Sequence, residues 1–337
     1  MHLQLNFLRS GSRASRVGVA AVLASLVIAV GSGFAAAQEW PTRPIKFIVS
    51  SAAGGAPDIL CRIITDRLSR QLGQTVIVEN RPGGANTIGA QAAARSAPDG
   101  YTFFFASAAA LVSNPYTFKS LPYNPNSDFI PVAKIAEGPF VFLAHPSVAA
   151  KTIGELIVLD KATPGKLTFA TDGKRSFAGM LVAWFNKLAG LDIVQIPYVA
   201  MPQAAQDAIA GRVQLIVLAL PIASSFISSG ALRPLAVSTG KRAKGYENIP
   251  SVTETIPGLN FSGWFVLVAP TGTPAAIVQR VNQEMDKVLK DADVDSRFQK
   301  LGFYTEGADT PEATGAYIRA QYETWATIIK DIGLQPE

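Results

Sequence analysis

Ile45-Lys46-Phe47-Ile48-Val49-Ser50-Ser51-Ala52-Ala53-Gly54-Gly55-Ala56-Pro57-Asp58-Ile59-Leu60-Cys61-Arg62-Ile63-Ile64-Thr65-Asp66-Arg67-Leu68 is the stretch that decides the fold. Its first five residues form a short apolar run that reads as a strand. A glycine loop, Ser50 to Pro57, follows. From Asp58 onward the apolar residues fall at 59, 60, 63, 64 and 68, which is helical spacing. Pro57 and Asp58 suit a first helical turn, and Gly73 suits its end. A strand that turns through glycines directly into a helix is the start of a βαβ unit, and that unit builds parallel sheets.

The same alternation runs outward along the chain. Thr75 to Glu79 predicts a second strand, and the loop Asn80 to Asn86 leads into an Ala-rich helix that ends before Pro98. Tyr101 to Ala106 predicts a third strand, apolar enough to be buried on both faces. After His145 come a helix over 153–162, a strand over 167–170, the loop Thr171 to Ser176, and a helix over 177–188. Strands over 193–197, 215–220 and 235–238 follow, with a helix over 204–210 between the first two. A last strand starts at Phe265, and two helices close the chain, over 275–289 and 311–329. The class is α/β, and about 300 residues suffice for two such sheets. The expected division is residues 38–142 with 253–337 in one lobe and 143–252 in the other, because Phe265 returns to the first set of elements.

The first 37 residues read as a secretory signal. Arg9, Arg13 and Arg16 give a positive start, 17–30 is apolar, and Ala35-Ala36-Ala37 places cleavage before Gln38. The apolar run is short for a span, which needs about 20 residues. Without those three arginines the formal charge of +5 falls to +2. No basic run suited to nucleic acid is present. Cys61 is the only cysteine, so no intramolecular disulfide forms. His145 is the only histidine after the signal, and it precedes Pro146, which favours a strand-end or turn position. One Cys and one His do not build a His/Cys metal cluster, and no G-x-S-x-G nucleophile elbow occurs. No metal and no cofactor are therefore expected.

Chemistry is expected where strands end, because ligands of open α/β sheets lie beyond the carboxyl ends of the strands. Gly54-Gly55-Ala56, Gly83-Gly84-Ala85-Asn86-Thr87 and Asp172-Gly173-Lys174-Arg175-Ser176 all open onto helix starts. Such starts carry unpaired N–H donors and partial positive charge, which suit carboxylates or phosphates. A nucleotide site is not supported. No G-x-x-x-x-G-K-[ST] occurs, nor a G-x-G-x-x-G with a following acidic partner.

Several longer motifs carry a family likeness. They are Trp40-Pro41-Thr42-Arg43-Pro44-Ile45, Gly54-Gly55-Ala56-Pro57-Asp58, and the run Val78 to Gly89 with its Glu79-Asn80-Arg81-Pro82-Gly83 core. Ala97-Pro98-Asp99-Gly100-Tyr101-Thr102, Leu121-Pro122-Tyr123-Asn124-Pro125, Pro197-Tyr198, Leu232 to Val237 and Ala269 to Pro274 continue it. On these residues the chain resembles the Bug receptors, the extracytoplasmic solute-binding proteins of tripartite tricarboxylate transporters. The resemblance implies a type II periplasmic-binding-protein fold: two lobes, each a mainly parallel sheet flanked by helices, joined by a hinge and gripping a carboxylate. It also implies a periplasmic location, a small organic acid as ligand, and membrane permease subunits as partners of a monomeric receptor. Expected ligand contacts are Ser51, Gly54, Gly55, Ala56, Asp58, Ala85, Asn86, Thr87 and Ser107 from lobe one. Thr171, Asp172, Lys174, Arg175, Ser176 and Tyr198 are expected from lobe two.

The departures bear on selectivity. The family's Pro-aromatic pair is Ser50-Ser51, its small residues after Gly173 are Lys174 and Arg175, and its helix histidine aligns with Gly179. A frequent aspartate aligns with Leu218. The expected pocket is less polar towards Val199, Ala200 and Leu218 and favours an acid with an apolar body. If Lys174 or Arg175 turned inward, a second carboxylate would be paired instead. Two other readings are an exported hydrolase or isomerase, for which Asp58 and Asp172 would be the paired carboxylates although Asp58 is expected as a helix-start residue instead, and a receptor that presents its ligand to a membrane sensor.

Overall fold

The structure is a computed structural model in which residues 40–337 are described, so the expected signal over 1–37 lies outside the described residues. Residues Arg43–Glu337 form one compact unit.

The opening stretch folds as its pattern requires. Strand β1 (Ile45–Val49) passes through the glycine loop into helix α1 (Ala56–Leu72), which Gly73 ends in the left-handed conformation. Strand β2 (Val76–Asn80), helix α2 (Thr87–Ala94) and strand β3 (Thr102–Ser107) complete the first set, and β1 pairs in parallel with both β2 and β3. A π turn at Ala109–Ser113 runs into the short helix α3 (Asn114–Thr117). The later alternation gives α4 (Ile153–Ala162), β5 (Thr168–Thr171), α5 (Phe177–Ala189), β6 (Val194–Pro197), α6 (Met201–Ile209) and β7 (Leu215–Ala219). Strand β5 pairs in parallel with β6 and β7.

The centre of the sheet is antiparallel, which the alternation does not predict. Strand β4 (Phe129–Ala144) and strand β9 (Ser262–Pro270) run against each other, β9 runs against β3, and β4 runs against β7 and against β8 (Arg233–Val237). The order is β2-β1-β3-β9-β4-β7-β5-β6, with β8 on β4. Strand β4 joins the two parallel sets. Its first part, to Pro139, pairs with β9, and from Phe140 it pairs with β7. Gly138 sits at the changeover because a Cβ there would lie 2.7 Å from the Phe303 ring.

Helix α7 (Leu220–Ser228) follows β7, and α8 (Ala275–Leu289), α9 (Ala292–Lys300) and α10 (Pro311–Ile332) close the chain. Thr310 caps α10 through the Ala313 N–H, and Gly333 ends it in the left-handed conformation. One buried cluster gathers Phe104, Phe142, Phe169, Phe185, Trp264 and Trp325 beneath α2, α5 and α10. Another places Val141, Leu143 and Ala170 under α6 and α7. Each fully buried side chain of this size contributes roughly 1.5–3 kcal/mol. Cys61 is fully buried as well, and burial pushes its thiol well up, so it is a packing residue.

Candidate functional site

The first two glycine loops are fastened to each other. The carboxylate of Asp58 is buried and accepts the Gly54 N–H at 2.8 Å, Arg62 Nε at 3.0 Å and Asn80 Nδ2 at 2.9 Å. Asn80 Nδ2 also donates to the Ser51 carbonyl at 3.1 Å. Burial pushes the Asp58 carboxyl up, but the hydrogen bonds from Arg62, Gly54 and Asn80 outweigh it and leave it below its ordinary value. Asp58 is thus the clamp of the loop, not half of a catalytic pair. It also uses the Gly54 N–H, and Gly55 N–H bonds to Ala52 O at 3.2 Å. The donors left at this helix start are the N–H groups of Ala56 and Asp58, since Pro57 has none and the first turn has no intrahelical partner.

The second loop bends through four consecutive residues of positive φ, Gly83, Gly84, Ala85 and Asn86, with φ of 50° at Ala85 and 76° at Asn86. Such positions cost a non-glycine residue about 1–3 kcal/mol and persist only when held. Asn114 Nδ2 holds Ala85, donating to its carbonyl at 2.8 Å. Gly89 lets α2 lie against the first loop, because a Cβ there would come within 2.5 Å of Ser50 Oγ and 3.1 Å of Arg81 O. Where the two loops meet, Ser50 Oγ and Ser51 Oγ are buried and have no hydrogen-bond partner among the described residues. Ser107 Oγ, at the end of β3, accepts the Ala110 N–H at a long 3.4 Å.

The third loop opens α5. Ser176 caps that helix: its Oγ accepts the Gly179 N–H at 2.9 Å and donates to Gly173 O at 2.7 Å. Thr171 is buried, with its Oγ1 3.4 Å from both Gln195 Oε1 and the Gly173 N–H. Gln195, a residue the sequence does not single out, also donates to Gly179 O at 3.1 Å. Asp172 and Lys174 are exposed. Arg175 donates to Thr117 O at 3.2 Å and Gln335 O at 2.6 Å. The Tyr198 hydroxyl donates to Asp207 at 2.9 Å, and burial followed by that bond raises its pKa. Leu218 is buried in the second cluster. The exposed apolar residues on neighbouring loops and helix starts are Val199, Ile88 and Ile222. Ile88 and Ile222 do not stand out in the sequence, because isolated exposed apolar residues leave no periodic signal.

His145 lies just past the end of β4, with Nδ1 2.7 Å from Ser147 Oγ and its ring against Gly211, as a strand-end residue should. A cavity of about 590 Å³ lies elsewhere, lined by residues such as Glu137, Pro139, Lys241, Arg242 and Tyr304. No residue of the three glycine loops lines it, and several of its charges are paired, Arg242 with Glu254 and Lys244 with Asp295. Among the described residues no cluster of three or more His, Cys, Asp and Glu side chains could hold a metal ion. No helix among them is long and apolar enough to cross a membrane.

Residues 60–334 match the family described as tripartite tricarboxylate transporter family receptor. The chain belongs to that family. Protein BugT of Bordetella pertussis is 32% identical over 299 residues, which is 88% of this chain and 91% of BugT. Rpa4515 of R. palustris, solved with adipate, is 29% identical, covers 89% of this chain and 100% of its own, and has a TM-score of 0.76. MatC of Rhodopseudomonas palustris, solved with bound malate, is 26% identical over 86% of this chain and 100% of its own, with a TM-score of 0.70. The receptor is therefore a periplasmic solute-binding protein and not an enzyme, and its fold is that of the periplasmic binding proteins.

Proposed function

We propose that this receptor closes two lobes, residues 38–142 with 253–337 and residues 143–252, on one carboxylate of a small organic acid and presents it to membrane permease subunits. The observation that carries the reading is the pair of buried, unpartnered hydroxyls of Ser50 and Ser51 beside two helix starts. A buried hydroxyl without a partner costs about 1–3 kcal/mol, which a bound oxygen acceptor offsets. The Ala56 and Asp58 N–H groups and the loop Ala85 to Thr87 surround the same place, and helix starts favour negative charge. From the other lobe the first N–H groups of α5 complete the grip, while Ser176, Thr171 and Tyr198 shape the loop from behind it. The change of partners along β4 near Phe140 supports a hinge there.

The apolar residues Val199, Ile222 and Ile88 favour a ligand with a methylene or aromatic body, as in the adipate of Rpa4515. Among linear dicarboxylates, monocarboxylates, malate and citrate, adipate-like acids should raise the thermal midpoint most. A ligand at a hundred times its Kd stabilises by about 2.7 kcal/mol. The same acid should contract the protein in small-angle scattering. Equal or greater stabilisation by citrate would end the apolar-body reading, and no contraction would end the hinge reading.

Export follows from Arg9, Arg13, Arg16 and the alanines before Gln38. Amino-terminal sequencing of the protein recovered from periplasm should begin at Gln38. A start at Met1 would remove the signal reading.

A further inference from the structure

We infer that Arg175 is a positioning residue of the ligand site, fixing the lobe-two loop against the helix that also holds the lobe-one loop. The inference rests on the binding reading above.

Arg175 follows Lys174 in the third glycine loop, and a cation in this loop could meet a second ligand carboxylate. Its guanidinium is otherwise engaged. Nη1 donates to Thr117 O at 3.2 Å, Nη2 donates to Gln335 O at 2.6 Å, and Nη2 also pairs with Glu337 Oε1 at 2.7 Å. The acceptors are held in place by main-chain bonds. Glu337 N–H donates to Thr117 O at 3.1 Å, and Lys119 N–H donates to Glu337 O at 2.9 Å, so the segment near Glu337 lies alongside 117–119. A planar guanidinium with several fixed donors suits this set of two carbonyls and a carboxylate, and an ammonium does not match it.

Thr117 is the last residue of α3 and Asn114 is the first. Asn114 is buried, and its Nδ2 holds the carbonyl of Ala85 in the strained second glycine loop. One short helix is thus tied at one end to the loop that offers donors from lobe one. At the other end it is tied to the loop that offers donors from lobe two. Phe177, two residues past Arg175, is wedged between Phe261 at 4.8 Å and Trp325 at 5.0 Å, which anchors the start of α5 itself. What Arg175 adds is the position of the loop ahead of that helix. If both loops donate to one carboxylate, their separation sets affinity, and Arg175 sets it without touching the ligand.

The test is Arg175→Ala in the full chain, with adipate as the probe in calorimetry and hydrogen exchange on the ligand-free protein. Affinity should fall about tenfold, the scale of one or two partly exposed charge-assisted hydrogen bonds. Exchange should rise over 171–176 and also over 83–87, a segment Arg175 does not contact. Arg175→Lys should recover only part of the loss, and Glu337→Gln should lose less than Arg175→Ala. Weaker binding with unchanged exchange over 83–87 would show that Arg175 meets the ligand directly and would overturn the positioning role. So would unchanged affinity and exchange. If the native protein does not bind adipate, the ligand reading fails, and the exchange over 83–87 still decides the role of Arg175.

Discussion

Gly179→Ala is expected to abolish ligand capture while most of the fold survives. The third residue of α5 is where the new methyl has least room: a Cβ at Gly179 would lie 1.9 Å from Gly173 O and 2.8 Å from its carbon. The helix does not retreat, because Ala178, Met180, Leu181 and Val182 are buried in the main core. The loop must move instead. Moving it breaks the 2.7 Å bond from Ser176 Oγ to Gly173 O and the 3.1 Å bond from Ser176 N–H to the same oxygen. Losing those two hydrogen bonds costs about 1–2 kcal/mol and overpacking about 1–3 kcal/mol more. A loss of about 3 kcal/mol in loop position is more than a hundredfold in affinity. Gly154→Ala is the control, since its Cβ would meet nothing closer than Thr152 Oγ1 at 3.9 Å, and an alanine in a helix is neutral or stabilising. Calorimetry of both variants with the best stabilising acid decides the matter. Native affinity in Gly179→Ala would place the site away from this loop. With this loop conformation the position tolerates no side chain.

The glycine loops are legible in the sequence because their signals are local. A glycine pair between an apolar strand and a helical period is read within a dozen residues, and β1, β3, α4, α5 and α8 fall where their patterns put them, to within a residue or two. Strand β4 is not legible. Pro131, Gly138 and Pro139 interrupt it, register shifts follow Pro131 and Lys134, and burial does not alternate, so neither strand period survives. Helix α7 escapes a sequence reading because Pro221 looks like a breaker although it sits in a first turn, where proline is tolerated. At the site, backbone geometry is legible and side-chain engagement is not. The bonds that tie the loops join Asp58 to Asn80, Asn114 to Ala85 and Arg175 to Gln335, across 22, 29 and 160 residues. Nothing in a single sequence says that Arg175 meets Gln335 O and not a ligand.

Asp58→Ala should cost the protein roughly 1–3 kcal/mol at neutral pH, the scale for losing the hydrogen bonds of a buried carboxylate, since the half-exposed Arg62 returns to water. It would take the carboxylate from Arg62 and free the Gly54 N–H and one Asn80 donor, untying the first two glycine loops at once. Asp58→Asn keeps the shape and removes the charge, so it isolates the electrostatic part. The folded carboxyl lies below the ordinary 3.8, with burial opposing and the hydrogen bonds from Arg62, Gly54 and Asn80 prevailing. A depressed acid stabilises the fold fully above its unfolded pKa, and that stabilisation is lost as pH falls through the folded value. The native protein should therefore exceed Asp58→Asn in stability at pH 7, and the gap should close below about pH 4 as the native carboxyl takes up its proton. Urea denaturation of the two proteins at both pH values measures that gap. A difference that stayed constant or widened in acid would mean that the Asp58 charge does not hold the loop. The N–H groups of Ala56 and Asp58 would then have to owe their position to Gly89 and the packing against Ser50. In that case Gly89→Ala, not Asp58→Asn, would be the variant that disrupts the loop.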